Sequence, residues 1–331
     1  MIYRRLGESD IEVSAVIFGA WAIGGWWWGD TDDELAIEAI RAAVDGGITT
    51  IDTAPMYGFG HSEEVVGRAV KGIADKVVLA TKCGLVWSRT DGEYFFETPD
   101  PQGRTVPIYR VLKKDSIIAE CEASLSRLGV DCIDLYQCHW MDSTTALEET
   151  MEALVTLRDQ GKIRAIGLSN FTPEAIEQCA GYGPIAGHQP KFSLLDRQNL
   201  DGVISFTHSR GIGTIVYSPL EQGMLTGKVT MDREFPEGDY RAGQPWFRPA
   251  NRRRVLDVLQ TQIDPIARAH GATLSQVAIA WTVGAPGITA AIVGARNGEQ
   301  ARANAAGADV PLTEPEREEI LRAFEALGDP E

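Results

Sequence analysis

The sequence predicts an α/β fold in which strand-and-helix units close into a (β/α)8 barrel, with a β-hairpin before the first barrel strand and long loops at the carboxyl face. Three observations carry this. Short apolar runs alternate with amphipathic stretches at a spacing of roughly 35 residues, which corresponds to about eight such units. No change in composition marks a linker, so residues 1–331 are expected to form one domain. The competing arrangement, a doubly wound open sheet, would place a glycine fingerprint at the first strand-to-helix turn. None stands there, and the one GxGxxA match, Gly181-Tyr182-Gly183-Pro184-Ile185-Ala186, precedes a strand.

Residues 4–13 read as a hairpin around Gly7-Glu8-Ser9-Asp10, and residues 13–18 as the first strand, ending at Gly19-Ala20-Trp21. Thr31-Asp32-Asp33-Glu34 offers capping oxygens ahead of the apolar stripe Leu35, Ile37, Ala39, Ile40, Ala43 and Val44, which stops at Gly46-Gly47. The run Ile48-Thr49-Thr50-Ile51 is the next strand; it ends at Asp52, and Pro55 and Gly58 place Tyr57 in the loop that follows. A helix begins at Ser62 and ends near Gly72, and the strand over residues 77–82 finishes in Lys82.

Residues 85–109 are rich in Gly, Pro, Asp and aromatics and are expected to be irregular. A loop longer than about 15 residues in a compact domain is usually functional or disordered, and Trp87, Tyr94, Phe95 and Phe96 favour a substrate-side lid. A helix over 115–128 and a strand over 133–138 lead to His139. A helix over 147–157 is closed by Gly161, a fifth strand covers 163–170, and Thr172-Pro173-Glu174 opens a helix with Pro in its first turn. The sixth strand is short, at His188-Gln189, and the seventh spans 213–219. A second long loop covers 220–248. Helices follow at 255–268 and 274–281, then the eighth strand at 290–293 and helices at 299–306 and 314–327.

The chain has 47 acidic and 31 basic residues, a formal charge of −16, so no basic surplus remains for a nucleic-acid backbone. No apolar run approaches the roughly 18 residues of a membrane span, and the N-terminus lacks the apolar region of a secretory signal, so a cytoplasmic protein is expected. Five cysteines without CxxC spacing read as free thiols in a reducing compartment; Cys83, beside Lys82, reads as a core thiol. The five histidines show neither HxH nor HExxH spacing, and no metal is expected.

Asp52 with Tyr57, Lys82 and His139 end consecutive strands and, if those strands are parallel neighbours, meet at one mouth. A phenol with a reference pKa of about 10 is a proton donor at neutral pH. A nearby ammonium stabilises its phenolate, a carboxylate keeps that ammonium in place, and an imidazole can orient a carbonyl oxygen. Singly, each has a bland role, as a turn former, a snorkelling lysine or a satisfied core histidine. Together at successive strand ends they form a proton-delivery chain towards a carbonyl. GxSxG is absent.

Asp52-Thr53-Ala54-Pro55-Met56-Tyr57-Gly58, Ala80-Thr81-Lys82, Leu135-Tyr136-Gln137-Cys138-His139-Trp140 and the segment from Gly161 to Phe171 resemble, in order, the aldo-keto reductase superfamily. The likeness covers nearly the whole chain and is nearest to the bacterial branch of general-stress and inositol-operon reductases. It implies a barrel that binds a nicotinamide cofactor without a Rossmann domain, with Tyr57 as general acid, Lys82 and Asp52 tuning it, and His139 orienting the carbonyl.

The resemblance also implies a cofactor site. Ala20 and Trp21 lie at its start with Asp52. Ser169, Asn170 and Gln189 would bind the carboxamide, and Tyr217 would stack on the nicotinamide. Ser218, Leu220, Gly223 and Lys228 would cover the pyrophosphate. Gly294, Arg296, Gln300 and Asn304 would hold the adenosine, with Arg296 gripping a 2′-phosphate, which favours NADP(H) over NAD(H). Arg241 is left outside this set. Trp21, Trp28, Tyr57, Trp87, His139 and Trp140 are expected to line the substrate pocket. The chain departs from the aldose-reductase branch in having Gly294-Ala295-Arg296 where that branch has a Lys-Ser pair, in the 85–109 segment and in Trp26-Trp27-Trp28.

Three functions are compatible with these residues. The first is reduction of an aldehyde or ketone with NADPH, the second oxidation of a polyol or sugar with NADP+, and the third a redox-sensing, non-catalytic NADPH-binding protein like the channel β-subunits. The expected partner is a small carbonyl or polyol, with no nucleic acid, membrane or metal.

Overall fold

The structure, a computed structural model, describes residues 1–25, 28–29, 31–236 and 238–331. The hairpin forms from β1 (Tyr3–Arg5) and β2 (Glu12–Ser14), with Arg4 opposite Val13. The strands β3 (Val16–Gly19), β4 (Thr50–Asp52) and β5 (Val78–Cys83) begin a barrel. A small antiparallel sheet of β6 (Leu85–Val86), β7 (Glu93–Pro99) and β8 (Thr105–Arg110) comes next. The barrel is then completed by β9 (Ile133–Cys138), β10 (Ile163–Ser169), β11 (Gly187–Gln189), β12 (Gly213–Tyr217) and β13 (Ala290–Gly294). Each barrel strand is parallel to the next in chain order, and β13 closes on β3, with Ile292 beside Ile17. This is the (β/α)8, or TIM, barrel.

Helices α1 (Asp33–Asp45), α2 (His61–Val70), α3 (Lys114–Leu128), α4 (Leu147–Asp159) and α5 (Pro173–Ala180) alternate with the strands. The later ones are α6 (Ser205–Ser209), α7 (Pro249–Val258), α8 (Asp264–Ala269), α9 (Leu274–Val283), α10 (Gly298–Gly307) and α11 (Glu314–Leu327). Asp32 caps α1 by accepting from the N–H groups of Glu34 and Leu35, and Thr172 caps α5 ahead of Pro173. Satisfying these orphan donors fixes where each helix starts.

Two cores follow from the period-2 alternation of the strands. Leu79, Cys83, Tyr136 and Cys138 face outward onto the helices. Ala80, Leu135, Ala165, Ile215 and Ile292 fill the barrel interior together with Leu6, Ile11 and Val13 of the hairpin, which plugs one end. Gly7 (φ 57°) is required in that plug, because a Cβ there would stand 2.6 Å from the Ala186 carbonyl.

The segment 85–109 is not irregular. It folds as the β6–β8–β7 sheet, turning where Asp100 Oδ1 accepts from the N–H groups of Gln102 and Arg104. The register shifts between Tyr94 and Phe96, and this bulge breaks the apolar alternation by which a strand is recognised. The helix expected over 255–268 starts earlier, at Pro249, and passes through a wide π turn at Leu259–Ile263 before α8. The short α6 fills the stretch between the sixth and seventh barrel strands, for which no helix was expected. Trp26 and Trp27 lie outside the described residues.

Candidate active site

Strand β5 pairs with β9 so that Lys82 stands beside Gln137, and Asp52 ends β4 next to them. All three side chains share the inward parity of Ala80 and Leu135. Lys82 Nζ donates to Asp52 Oδ1 at 2.6 Å, to the Thr53 carbonyl at 2.9 Å and to Tyr57 Oη at 3.2 Å. Burial alone would discharge Lys82, but Asp52 and Tyr57 hold its pKa above the ordinary lysine value. It is a fixed positive charge.

Tyr57 reaches this ammonium from the loop after β4. That loop lies backbone to backbone on the turn after β3: a Cβ on Gly58 (φ 69°) would come within 2.3 Å of the Gly24 carbonyl. Burial pushes the Tyr57 phenol above its ordinary pKa, and Lys82 only partly offsets this. Desolvation of the phenolate wins, and Tyr57 holds its proton. His139 packs edge-on against Tyr57 with ring centroids 5.8 Å apart. Burial, reinforced by Lys82, drives its pKa well below the usual histidine value, so the imidazole is neutral.

Above these groups opens a cavity of about 760 Å³. Asp52, Tyr57, His139, Trp21, Trp28 and Trp140 line it, as expected. So do Ser169, Asn170, Gln189, Tyr217, Ser218, Leu220, Gly223 and Lys228, and at the far end Gly294, Arg296, Gln300 and Asn304. Three expected residues stand elsewhere. Lys82 is fully buried behind Tyr57. Ala20 is buried beneath the floor, where its N–H donates to the Asp52 carbonyl and its own carbonyl accepts from Ser62. Trp87 packs edge-on against Phe59, 4.9 Å between centroids, in a cluster under the β6–β8 sheet.

The sheet contributes other aromatics to the wall. Phe95 and Phe96 line the cavity with Met56 and Leu85. Phe95 lies against Trp140 at 5.3 Å, and the Arg110 guanidinium sits 4.0 Å from the Phe95 centroid. Adjacent aromatics in the sequence were the signal for this wall; which of them faces the cavity is set by the bulge.

The amide and hydroxyl groups of the expected carboxamide site are tied to one another. Ser169 Oγ donates to the Gln189 carbonyl at 2.8 Å, and Asn170 Nδ2 donates to the His139 carbonyl and to Ser169 Oγ. Tyr217 Oη donates to Asn170 Oδ1 at 3.0 Å. Gln189 Nε2 donates to Asp52 Oδ2 at 2.9 Å and to Gln137 Oε1 at 3.1 Å. These side-chain donors are spent within the site, so the trio offers acceptors. Asn170 (φ 60°) and Ser218 (φ 60°) hold left-handed backbone beside this floor.

The opposite end of the cavity is cationic in an acidic chain. Lys228, Arg233, Arg241 and Arg296 line it, with Glu299 beside them. Arg296 donates to the Trp28 carbonyl at 2.8 Å, and its backbone N–H donates to Gln300 Oε1 at 2.9 Å. Its guanidinium is destabilised by burial and then by Arg241, only partly relieved by Asp239. Arg241, omitted from the sequence-based set, lies 5.2 Å from the Trp28 ring and pairs with Asp239 at 2.6 Å. A cluster of positive charge on a cavity wall is a site for a polyanion.

A sequence profile of the Aldo/keto reductase family matches residues 15–324. The chain belongs to the aldo-keto reductase family. It is 39% identical over 306 residues to the aldo-keto reductase YhdN of Bacillus subtilis, covering 92% of this chain and 87% of that one. It is also 39% identical over 328 residues to an NADH-specific methylglyoxal reductase of Escherichia coli, covering 97% and 98%. Among solved structures it superposes on the glycerol dehydrogenase AKR11B4 from Gluconobacter oxydans with a TM-score of 0.85 at 34% identity, covering 98% of this chain and 95% of that one. An aldo-keto reductase is an oxidoreductase that uses a nicotinamide cofactor, and small carbonyls or polyols are the family's substrates. Among the described residues no group of three or more His, Cys, Asp or Glu is placed to hold a metal ion, and no helix is long and apolar enough to cross a membrane.

Proposed function

We propose that this aldo-keto reductase is a cytoplasmic, single-domain enzyme that reduces an uncharged aldehyde or ketone to an alcohol with NADPH, Tyr57 acting as general acid. The observation that carries the reading is Lys82 Nζ bridging Asp52 Oδ1 and Tyr57 Oη on the cavity floor. The cofactor, when bound, supplies hydride to the carbonyl carbon. Tyr57 Oη gives its proton to the carbonyl oxygen, and the buried Lys82 ammonium stabilises the phenolate left behind. Asp52 keeps Lys82 charged and in place. Neutral His139 orients the carbonyl without competing for the proton.

The residues fit the cofactor in three places. Ser169, Asn170 and Gln189 offer acceptors to the carboxamide, and Tyr217 lines the cavity beside them. Ser218, Leu220, Gly223 and Lys228 border the path of the pyrophosphate. Gln300, Asn304 and Arg296 stand at the adenosine end, where the surplus of arginines supports a 2′-phosphate. Glu299 on the same wall, and the relative described as NADH-specific, weigh on the other side.

The substrate end is walled by Trp21, Met56, Leu85, Phe95, Phe96 and Trp140, with no charged side chain among them. Such a wall favours neutral molecules over keto acids or phosphosugars. Methylglyoxal and glycerol, named for two relatives, are both small and neutral. Oxidation of a polyol is the second reading, because the same groups run the reaction in reverse. The complete Asp52–Lys82–Tyr57–His139 set supports both over a nucleotide sensor without turnover.

Titration with NADPH and with NADH, followed by tryptophan fluorescence, tests the reading. Tighter saturation by NADPH, followed by its oxidation on adding methylglyoxal, is expected. Binding of neither nucleotide overturns it, and turnover only with NADP+ and glycerol replaces it by the second.

A further inference from the structure

Gln137 has been given no role among the catalytic or cofactor residues above, yet it is fully buried on β9 beside Lys82. Its Nε2 donates to Asp52 Oδ2 at 3.3 Å and its Oε1 accepts from Gln189 Nε2 at 3.1 Å. An ionised carboxylate only accepts, so Asp52 dictates which end of each glutamine amide faces it. Both amides turn their nitrogens to Asp52 Oδ2, while Oδ1 is left to Lys82. Gln137 Oε1 then takes the remaining hydrogen of Gln189. The Gln189 oxygen is thereby the polar end of that side chain not used by Asp52 or Gln137.

We infer that Gln137 is a positioning residue for both halves of the reaction: it fixes Asp52 behind the Lys82–Tyr57 pair and fixes Gln189 with its oxygen available to the nicotinamide carboxamide. The inference rests on the reading of Tyr57 as general acid. The charge of Asp52 raises the Tyr57 pKa, and an amide dipole on Oδ2 tempers that charge. The ionisable groups around Tyr57 are Lys82, Asp52, His139 and Tyr217, and of these only Asp52 is hydrogen-bonded to the Gln137 amide. Removing the amide acts on Tyr57 through Asp52.

The test uses Gln137→Met, which keeps the shape and removes both hydrogen bonds, and Gln137→Glu, which restores the donor to Asp52 only while protonated. Methylglyoxal with NADPH is the probe reaction. Loss of a hydrogen bond to a charged group predicts a turnover loss of about tenfold for Gln137→Met. The alkaline limb of kcat moves to higher pH, and an ultraviolet phenolate titration, compared with the Tyr57→Phe background, moves the same way. NADP+ binding weakens several-fold because Gln189 is released.

Gln137→Glu is expected to work like the wild type at acid pH and to show an additional ionisation as pH rises, because two carboxylates share one site. If neither variant moves the pH profile, the phenolate titration or NADP+ binding, Gln137 is core filling and the inference is overturned. A fully active Tyr57→Phe would instead overturn the general-acid reading itself. Should Gln137→Met fail to fold, the pH profile of Gln137→Glu decides alone.

Discussion

The Asp52 carboxylate meets the Lys82 ammonium at 2.6 Å with side-chain exposures of 5% and 0%, an ion pair sealed inside the barrel mouth. Such a pair earns its place by geometry: desolvation opposes both charges, and each is tolerable only because the other is there. Tyr57 Oη shares the same ammonium at 3.2 Å, so the ion pair and the phenol meet at one nitrogen.

Replacing Lys82 by Met should leave Asp52 buried without its cation and cost about 3–5 kcal/mol of stability. Adding Asp52→Asn in the same chain should recover part of that loss. Urea unfolding of the single and double variants measures it; a double variant less stable than the Lys82→Met single variant would contradict the pairing.

Tyr57→Phe should lower turnover by about 10²–10⁴ while leaving nucleotide affinity nearly unchanged. The phenol hydroxyl touches Lys82 and the ring contacts remain in Phe. Steady-state kinetics alongside fluorescence titration separates the two effects, and equal loss in both would show a structural role.

Arg296→Ala should weaken NADPH far more than NADH. The guanidinium lines the cavity beside Arg241 and Arg233, whereas the backbone N–H bonded to Gln300 survives the substitution. Parallel losses for both nucleotides would remove Arg296 as a 2′-phosphate contact.

Trp140→Ala and Trp87→Ala should behave differently. Trp140 lines the cavity, so its loss should raise KM; Trp87 packs on Phe59 outside it, so its loss should lower stability by about 1–3 kcal/mol with KM unchanged. A raised KM for Trp87→Ala would return that residue to the substrate wall.

Stability should fall on acidification below about pH 6.5, where the unfolded chain's histidines take up protons. Burial holds His139 well below its ordinary pKa and His188 down to about 3, so the native state binds fewer protons in this window and stability rises with pH across it. At pH 5.5 each such group costs about 1.4 kcal/mol. Urea midpoints between pH 7 and 5 check the slope, and His188→Gln should flatten it.

Much of this protein is legible in its sequence. The alternation of apolar runs with amphipathic helices is local chemistry, and it identified the barrel, its strand ends and the meeting of Asp52, Tyr57, Lys82 and His139. Capping oxygens at Asp32 and Thr172 and stops at Gly46 and Gly161 are equally local, because they satisfy backbone groups within one turn.

What the sequence left open depends on packing between distant segments. A bulge at Tyr94 concealed β7, and its antiparallel partner β8 supplies the hydrogen bonds that a lone segment cannot show. Trp87 and Phe95 look alike in sequence, yet only Phe95 reaches the cavity wall. The direction of the Tyr57 shift is the balance of burial against Lys82, and burial is a property of the closed barrel. Gln137 lies inside the motif that ends at His139-Trp140, but that motif assigns it no role; it becomes meaningful only when β9 sets it beside Lys82 and the barrel brings Asp52 and Gln189 to the two ends of its amide. The sequence determined which groups stand at the strand ends, and the tertiary structure decided which of their hydrogens are free, because that is settled by neighbours far apart in the chain.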